Sequence, residues 1–357
     1  MLKKLGYIGA PRKTALSLLA PIALILILAL GCATTAPAKN SSQRNLTRYE
    51  FERPEMGVPF RIILYAPSGE IATNAAEAAF RRVSQLNDIM SDYEYDSELS
   101  KLSRASGSGE KVKVSDDLWK VLERSQEIAK ASDGAFDVTV GPLIQVWRKA
   151  RREKKLPTPE IIEKARARVG YTNMILRDHT VELKAPEMRL DLGGIAKGYA
   201  ADEALKVLRQ HGITRAMAAA SGDFALGDAP PDKPGWKIEL LDAQDQRGQA
   251  FLILKNCGCS TSGDLFQFVE IDGKRYSHIV DPHTGLGLTD RCLVTVVAPN
   301  GFTSDSLETT ICLMPRGKGL KLAHRYGAQA REIRQLGSND RVEYSSAGFW
   351  KRAIWQK

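Results

Sequence analysis

Three short stretches of the chain gather polar and glycine residues in patterns that could do chemistry. The first, from Met188 to Gly198, reads MRLDLGGIAKG. It predicts an apolar strand ending in Asp191, a turn at two glycines, and a helix with Lys197 in its first turn. Glycines at such a turn let backbone approach a phosphate closely, and a helix N-terminus with a lysine favours the anion. A tight turn with a solvated lysine would have the same spelling. The second, Tyr276 to Gly285, reads YSHIVDPHTG and follows Thr261-Ser262-Gly263-Asp264. His278 is expected on the return strand of a hairpin, facing opposite to Ile279, with a turn at Asp281-Pro282. Imidazole beside a carboxylate and a hydroxyl suits proton transfer near neutral pH, although polar residues at a hairpin end can equally be turn chemistry. In the third, Thr303 to Thr309 (TSDSLET), Asp305 and Thr309 are four apart at the start of a predicted helix and share a face. Both are hard oxygen ligands, suited to Mg²⁺ and not to zinc. Asp305 could instead complement the helix dipole.

The elements that must position these stretches alternate irregularly. Helical spacing of Phe80, Val83, Leu86 and Met90 predicts a helix over 71–90, and further helices are expected over 116–131, 195–210 and 303–314. Ser115 is a candidate N-cap with acidic residues after it, and Thr158-Pro159 opens a helix that stops at Gly170. Strand-like runs are 49–52, 59–65, 180–183, 188–191, 236–241, 249–254 and 293–298, and 266–280 reads as a hairpin turning at Asp272-Gly273. The pattern is α+β rather than regular βαβ alternation. Neither the dinucleotide fingerprint G-x-G-x-x-G nor a P-loop is present.

The N-terminus has the build of a bacterial signal peptide over 1–31. Lys3, Lys4, Arg12 and Lys13 precede a run, 15–30, that is apolar apart from Ser17 and Pro21. That run is shorter than the roughly 20 residues of a spanning helix. Leu28-Ala29-Leu30-Gly31-Cys32 resembles the lipobox of bacterial lipoproteins, with Leu30 where a small residue is commoner. The resemblance implies lipidation of Cys32 as the mature N-terminus, and two or more acyl chains give stable anchoring. Residues 32–45 read as a flexible tether, and 46–357 as the functional domain. Export to the extracytoplasmic side follows, with inner or outer membrane left open.

The net charge of +9 overstates the folded domain, because four of its cations leave with the signal. The basic run 148–155 (RKARREKK) has no aromatic interleaving and reads as a solvated helical face, so no nucleic-acid partner is expected. Cys257, Cys259, Cys292 and Cys312 lack zinc-site spacing and read as buried, apolar-like residues. The first two would share a face of a strand.

Taken in order, the stretches resemble the FAD:protein FMN transferase family, the ApbE-type flavin transferases. The resemblance runs from Met56 to about Arg334. It is carried by Glu55-Met56-Gly57, Met90-Ser91-Asp92-Tyr93 with Ser97-Glu98-Leu99-Ser100, and Gly134-Ala135-Phe136-Asp137 with Gly141-Pro142. DLGGIAKGYAADEA from Asp191, TSGD from Thr261, SHIVDPHTG from Ser277 and the Asp305/Thr309 pair complete it. The resemblance implies a T-fold-like α+β domain that binds FAD and, with Mg²⁺, transfers its FMN half to a Ser or Thr hydroxyl of a partner protein, releasing AMP. It implies an FAD site lined by Met56, Tyr93, Ala135, Phe136, Asp137, Asp191, Lys197 and Ile279. It also implies Mg²⁺ held by Asp305, Thr309 and the Gly194 carbonyl. His278 is the expected proton acceptor, Asp281 a candidate to orient or replace it, and Lys197 a further stabiliser of charge. The implied acceptor is a subunit of a membrane redox complex. The alternatives are an FAD pyrophosphatase giving FMN and AMP, and a non-catalytic flavin-binding lipoprotein. Three departures stand out: Ser221-Gly222-Asp223 for the commoner Gly-Gly-Asp, Ser304 for Ala, and Glu308 where the family usually has a small residue.

Overall fold

The computed structural model describes residues 46–245, 247–263, 267–335 and 340–356. The expected signal peptide, the tether with Cys32, and Asp264 lie outside the described residues.

The first hairpin pairs β1 (Thr47–Glu55) with β2 (Val58–Ala66) through a two-residue turn. Met56 and Gly57 both take positive φ there, +52° and +74°, as a turn matching strand twist requires. Helix α1 (Gly69–Met90) follows, capped by Ser68, and α2 (Glu98–Arg104) is capped by Ser97. Strand β3 (Val112–Lys113) leads to α3 (Asp116–Ala131), where the Ser115 side chain accepts from the amide of Leu118. Helices α4 (Gly141–Glu153) and α5 (Pro159–Arg166) come next, then the hairpin β4 (Met174–Arg177) and β5 (Thr180–Leu183). Helix α6 (Ala196–Gln210) precedes β6 (Ala216–Ala220), β7 (Asp223–Leu226), β8 (Trp236–Asp245), β9 (Gly248–Leu254) and β10 (Cys257–Gly263). The hairpin β11 (Phe268–Ile271) and β12 (Lys274–Ser277) turns at Asp272-Gly273 as expected. Strand β13 (Arg291–Ala298), α7 (Gly301–Leu313), α8 (Gly319–Arg325), β14 (Gln329–Gln335), β15 (Arg341–Ser345) and β16 (Ala353–Gln356) complete the order.

The α+β reading holds. An antiparallel sheet in the order β1-β2-β6-β7-β10-β13-β14-β15 forms the centre. Side chains alternate across it, as strand geometry dictates. Phe60, Ile62 and Leu64 of β2 and Val294 and Val296 of β13 join the core beneath the helices. Ile63, Cys257, Cys259 and Val297 face the small sheet β16-β9-β8 on the other side. Cys257 and Cys259 thus share a face, and all four domain cysteines are buried.

One expected strand is absent. Residues 188–191 make a lone parallel bridge, Arg189 to Val140, and the Leu190 amide donates to the Ser103 hydroxyl. A side chain takes the place of a partner strand on that side, so the apolar alternation there reflects packing without a sheet.

Helix α7 is buried on almost every side although its sequence is rich in Ser and Thr. Short hydroxyls make this possible by bonding back to the helix's own carbonyls: Ser304 to Gly301, Ser306 to Thr303 and Thr310 to Ser306. Backbone meets backbone where α6 crosses α7. A methyl added at Gly198 would lie 2.1 Å from the Gly301 carbonyl oxygen and 2.6 Å from Asp305 Cβ. Gly198→Ala is therefore expected to cost about 3 kcal/mol, near the upper end for overpacking. Thermal melts should show a drop of roughly 6–12 °C. Gly69→Ala is the control: its methyl would meet only Tyr49, at 3.6 Å, and the melting point should hold or rise.

Candidate active site

The β1–β2 turn, the 90–94 turn, the 135–140 segment, the Gly193-Gly194 turn and the loop after β12 surround a cleft of about 1280 Å³. Met56, Tyr93, Ala135, Phe136, Asp137, Asp191, Gly194, Lys197, His278, Ile279, Glu308 and Thr309 all line it. Segments more than 250 residues apart in sequence thus meet, which is what a built site needs.

The Gly193-Gly194 turn is shaped by Asp191, whose Oδ1 accepts from the Gly193 amide at 2.9 Å. A Cβ placed on Gly194 would sit 3.4 Å from both Thr309 Oγ1 and the Phe136 ring, so this turn lies against α7 and Phe136. Helix α6 then starts as expected, with Lys197 in its first turn. Its N-terminal anion, however, is the protein's own: Asp305 Oδ2 accepts from the Gly198 amide at 2.7 Å. A phosphate at this helix end must therefore be met mainly by the Lys197 ammonium.

Lys197 forms an ion pair with Asp223 Oδ2 and lies 3.9 Å from Asp305 Oδ1. Burial alone would lower its pKa, but the carboxylates of Asp223, Asp305 and Glu308 outweigh burial and hold it protonated. Carboxylate oxygens of Asp223, Asp305 and Glu308 lie within 4.8 Å of one another. Burial first, and neighbouring like charge second, raise Asp305 and Glu308 above the ordinary carboxylate range. One oxygen of each of the three residues is buried with no hydrogen-bond partner. Orphaned, buried, hard oxygen donors are the chemistry a divalent cation answers, so the residues present fit Mg²⁺. Thr309 Oγ1 lies 3.5 Å from Glu308 Oε1, at the edge of the same cluster.

His278 falls one residue past the end of β12, in a bend, rather than on the strand. Its backbone amide and its Nδ1 both lie 3.0 Å from the Gln267 carbonyl oxygen. A carbonyl can only accept, so Nδ1 carries the proton and Nε2 keeps its lone pair. Burial lowers the imidazole pKa to about 4, with Arg151 and Lys197 adding to the shift. The ring is therefore neutral at pH 7.

Asp281 does not orient this histidine. Its Oδ1 accepts from the His283 amide at 2.8 Å and its Oδ2 from the Thr284 hydroxyl at 3.1 Å, so the carboxylate is spent on its own turn. The Gln267 carbonyl takes the orienting part. Asp137 likewise serves its own turn. It accepts from the amide and hydroxyl of Thr139 and from the Tyr171 amide, while burial raises its pKa.

The basic run 148–155, expected as a solvated helical face, instead sends two arginines to the cleft. Arg148 bridges Asp92 and Asp191, and its guanidinium lies 4.1 Å from the centre of the exposed Tyr93 ring. Arg151 also lines the cleft. They sit three apart on α4, so one helix face supplies both. Trp147 of the same helix donates to the Gly285 carbonyl at 2.9 Å, which ties α4 to the loop that carries His278. Asp223 is a further addition, at the start of β7 after a turn in which Ser221 takes φ +60°. That left-handed conformation explains why glycine would be the easier choice at 221.

A sequence profile of the ApbE family matches residues 56–331. An FAD:protein FMN transferase of Vibrio cholerae is 32% identical over 302 residues, covering 83% of this chain and 90% of that protein. The chain belongs to the ApbE family. The FAD:protein FMN transferase of Haemophilus influenzae is 30% identical over 83% of this chain and 89% of its own length. Among solved structures, the flavin transferase ApbE from Vibrio cholerae superposes with a TM-score of 0.75 at 29% identity, over 86% of this chain and 99% of that one. The ApbE protein of Thermotoga maritima gives 0.75 at 27% identity, over 86% and 99%. The α+β architecture is thus that of the ApbE flavin transferases.

Proposed function

We propose that the chain transfers the FMN half of FAD to a Ser or Thr hydroxyl of a partner protein and releases AMP. The observation that carries this is one cleft in which a protonated lysine, a buried carboxylate cluster and an imidazole with a free Nε2 converge. Relatives bearing the name FAD:protein FMN transferase over most of their length support it. The cleft, at about 1280 Å³, exceeds the roughly 300–1,000 Å³ of common ligand pockets and leaves room for a dinucleotide beside an acceptor side chain.

In this reading Met56, Tyr93, Ala135, Phe136, Asp137, Asp191 and Ile279 line the FAD site, with Tyr93 offering an aromatic face that is 76% exposed. Lys197 holds a diphosphate oxygen. The bond from the acceptor oxygen to the flavin-side phosphorus forms, the phosphorus–oxygen bond to AMP breaks, and the hydroxyl proton passes to Nε2 of His278. Asp305, Thr309 and the Gly194 carbonyl would hold Mg²⁺. When bound, the ion neutralises charge on the diphosphate and the leaving AMP. Incubation with FAD, Mg²⁺ and a candidate acceptor should add one FMN mass to the acceptor. Free FMN with no mass gain would overturn transfer in favour of hydrolysis.

Protons and Mg²⁺ compete for the raised carboxylates, so the acid limb of the rate profile should move to lower pH as Mg²⁺ is increased. Titration of His278, near pH 4, would leave a limb whose position ignores Mg²⁺. Rate profiles at two Mg²⁺ concentrations separate the two.

The reading includes a place. A signal peptide over 1–31 and a lipid on Cys32 would tether the domain beside a membrane, where a redox-complex subunit is the acceptor we favour. Cys32→Ser should move the protein from the membrane fraction to the soluble one. A variant that stayed membrane-bound would remove the lipid from the account.

A further inference from the structure

The ligand set implied by family resemblance takes one side chain carboxylate, Asp305. The cavity floor holds two more. Asp223 reaches it from the start of β7, and Glu308 from the turn of α7 between Asp305 and Thr309. Asp223, Asp305 and Glu308 are 2%, 0% and 3% exposed. Asp305 Oδ2 accepts from the Gly198 amide, and its Oδ1 is buried without a hydrogen bond. Asp223 Oδ2 accepts from Lys197 Nζ, while Asp223 Oδ1 and Glu308 Oε2 are buried without a hydrogen bond. Each of the three residues thus keeps one buried oxygen without a hydrogen bond, and carboxylate oxygens of the three lie within 4.8 Å of one another.

Charge makes the same point. Burying a carboxylate without compensation costs several kcal/mol, and Lys197 compensates one of three. With all three ionised the deficit is two positive charges, which is what one divalent cation brings. Donor type selects among cations: all-oxygen, all-anionic sites suit Mg²⁺, Mn²⁺ or Ca²⁺. A Mg²⁺ site with one or two carboxylates relies on substrate phosphates to complete it. Three carboxylates on the rigid elements β7 and α7 do not need that help.

We infer that Glu308 and Asp223 join Asp305 in holding a divalent cation in the nucleotide-free protein, so that the ion is in place before FAD enters. The inference rests on the reading of Asp305 as a metal ligand given above. Glu308 is what separates this chain from a site that assembles only around the nucleotide.

The test is Mn²⁺ titration of the FAD-free, full-length protein, followed by electron paramagnetic resonance of the free ion. Wild type should bind one Mn²⁺, and Glu308→Gln should weaken that binding by about tenfold or more, because ligand charge count sets affinity. With FAD added, the variant should recover most of the difference, since phosphate oxygens then supply donors. The melting point of metal-free Glu308→Gln should equal or exceed that of wild type, as a buried like charge has gone. No Mn²⁺ binding by wild type without FAD, or equal binding by the variant, would overturn the inference. Wild type that fails to bind Mn²⁺ alone yet still flavinylates an acceptor would leave the transferase reading intact. Wild type that binds through Glu308 but never modifies an acceptor would do the reverse.

Discussion

Asp305→Ala should reduce AMP release from FAD by about a thousandfold or more, the scale of losing a preorganised electrostatic group. Two losses combine. The buried Oδ1 is removed, so the proposed metal site loses a ligand. Oδ2 no longer caps the Gly198 amide, so a buried N–H is left unsatisfied at a cost of about 1–3 kcal/mol. Asp305→Asn separates them, since its amide oxygen can still accept from Gly198 while the charge is gone. The asparagine variant should melt within a few degrees of wild type and still fail to release AMP. If it retained more than a tenth of the activity, Asp305 would be a helix cap and not a ligand.

His278→Ala should slow FMN transfer by about 10²–10⁴-fold, the range for removal of a positioned general base. The fold should tolerate it, because the ring's hydrogen bond is a single one, to the Gln267 carbonyl. Stability against pH gives a second readout. The folded-state pKa, about 4, lies below the ordinary 6.5, so the unfolded chain binds the proton more readily in that interval. The wild type therefore loses stability from this residue as pH falls from 6.5 toward 4, and the alanine variant is spared that loss. The gap in melting temperature should move in the variant's favour on acidification. Full transfer activity in the variant would remove His278 from the mechanism.

Local signals were legible where a residue type does one thing. The span of α3 follows from Ser115 and its acidic first turn, and the β11–β12 turn from Asp272-Gly273. Harder segments were those where tertiary context overrides propensity. Strand β6, Ala216–Ala220, is four alanines and a methionine, good helix formers, yet is buried between neighbours in the sheet. Strand β10 begins Cys-Gly-Cys-Ser, with few β-branched residues, because α7 presses close on Gly258. Helix α2 spans seven residues, too short to show a period.

For the site, the expected side chains line one cleft except Asp281, held in its own turn, and Asp305, which lies 3.9 Å from Lys197. Arg148 hid in a run of similar charges, because spacing says which residues share a helix face but not which face meets a cleft. Asp223 and Glu308 were visible as departures or neighbours. Their joint burial, which gives them meaning, exists only once β7 and α7 are folded together.

The crossing of α6 on α7 has a consequence for motion. Gly198 and Gly301 approach closely, and the contact is pinned from both sides: Asp305 accepts from the Gly198 amide, and Asp202 accepts from the amides of Gly301 and Phe302. Shear between the helix bearing Lys197 and the helix bearing Asp305 is blocked. Adjustment to a bound molecule is then left to the rim: the Met56 turn, the Tyr93 turn and the loop after β12, all of which line the cleft. The floor of the cleft acts as an anvil, and adaptation to different acceptors is left to its edges.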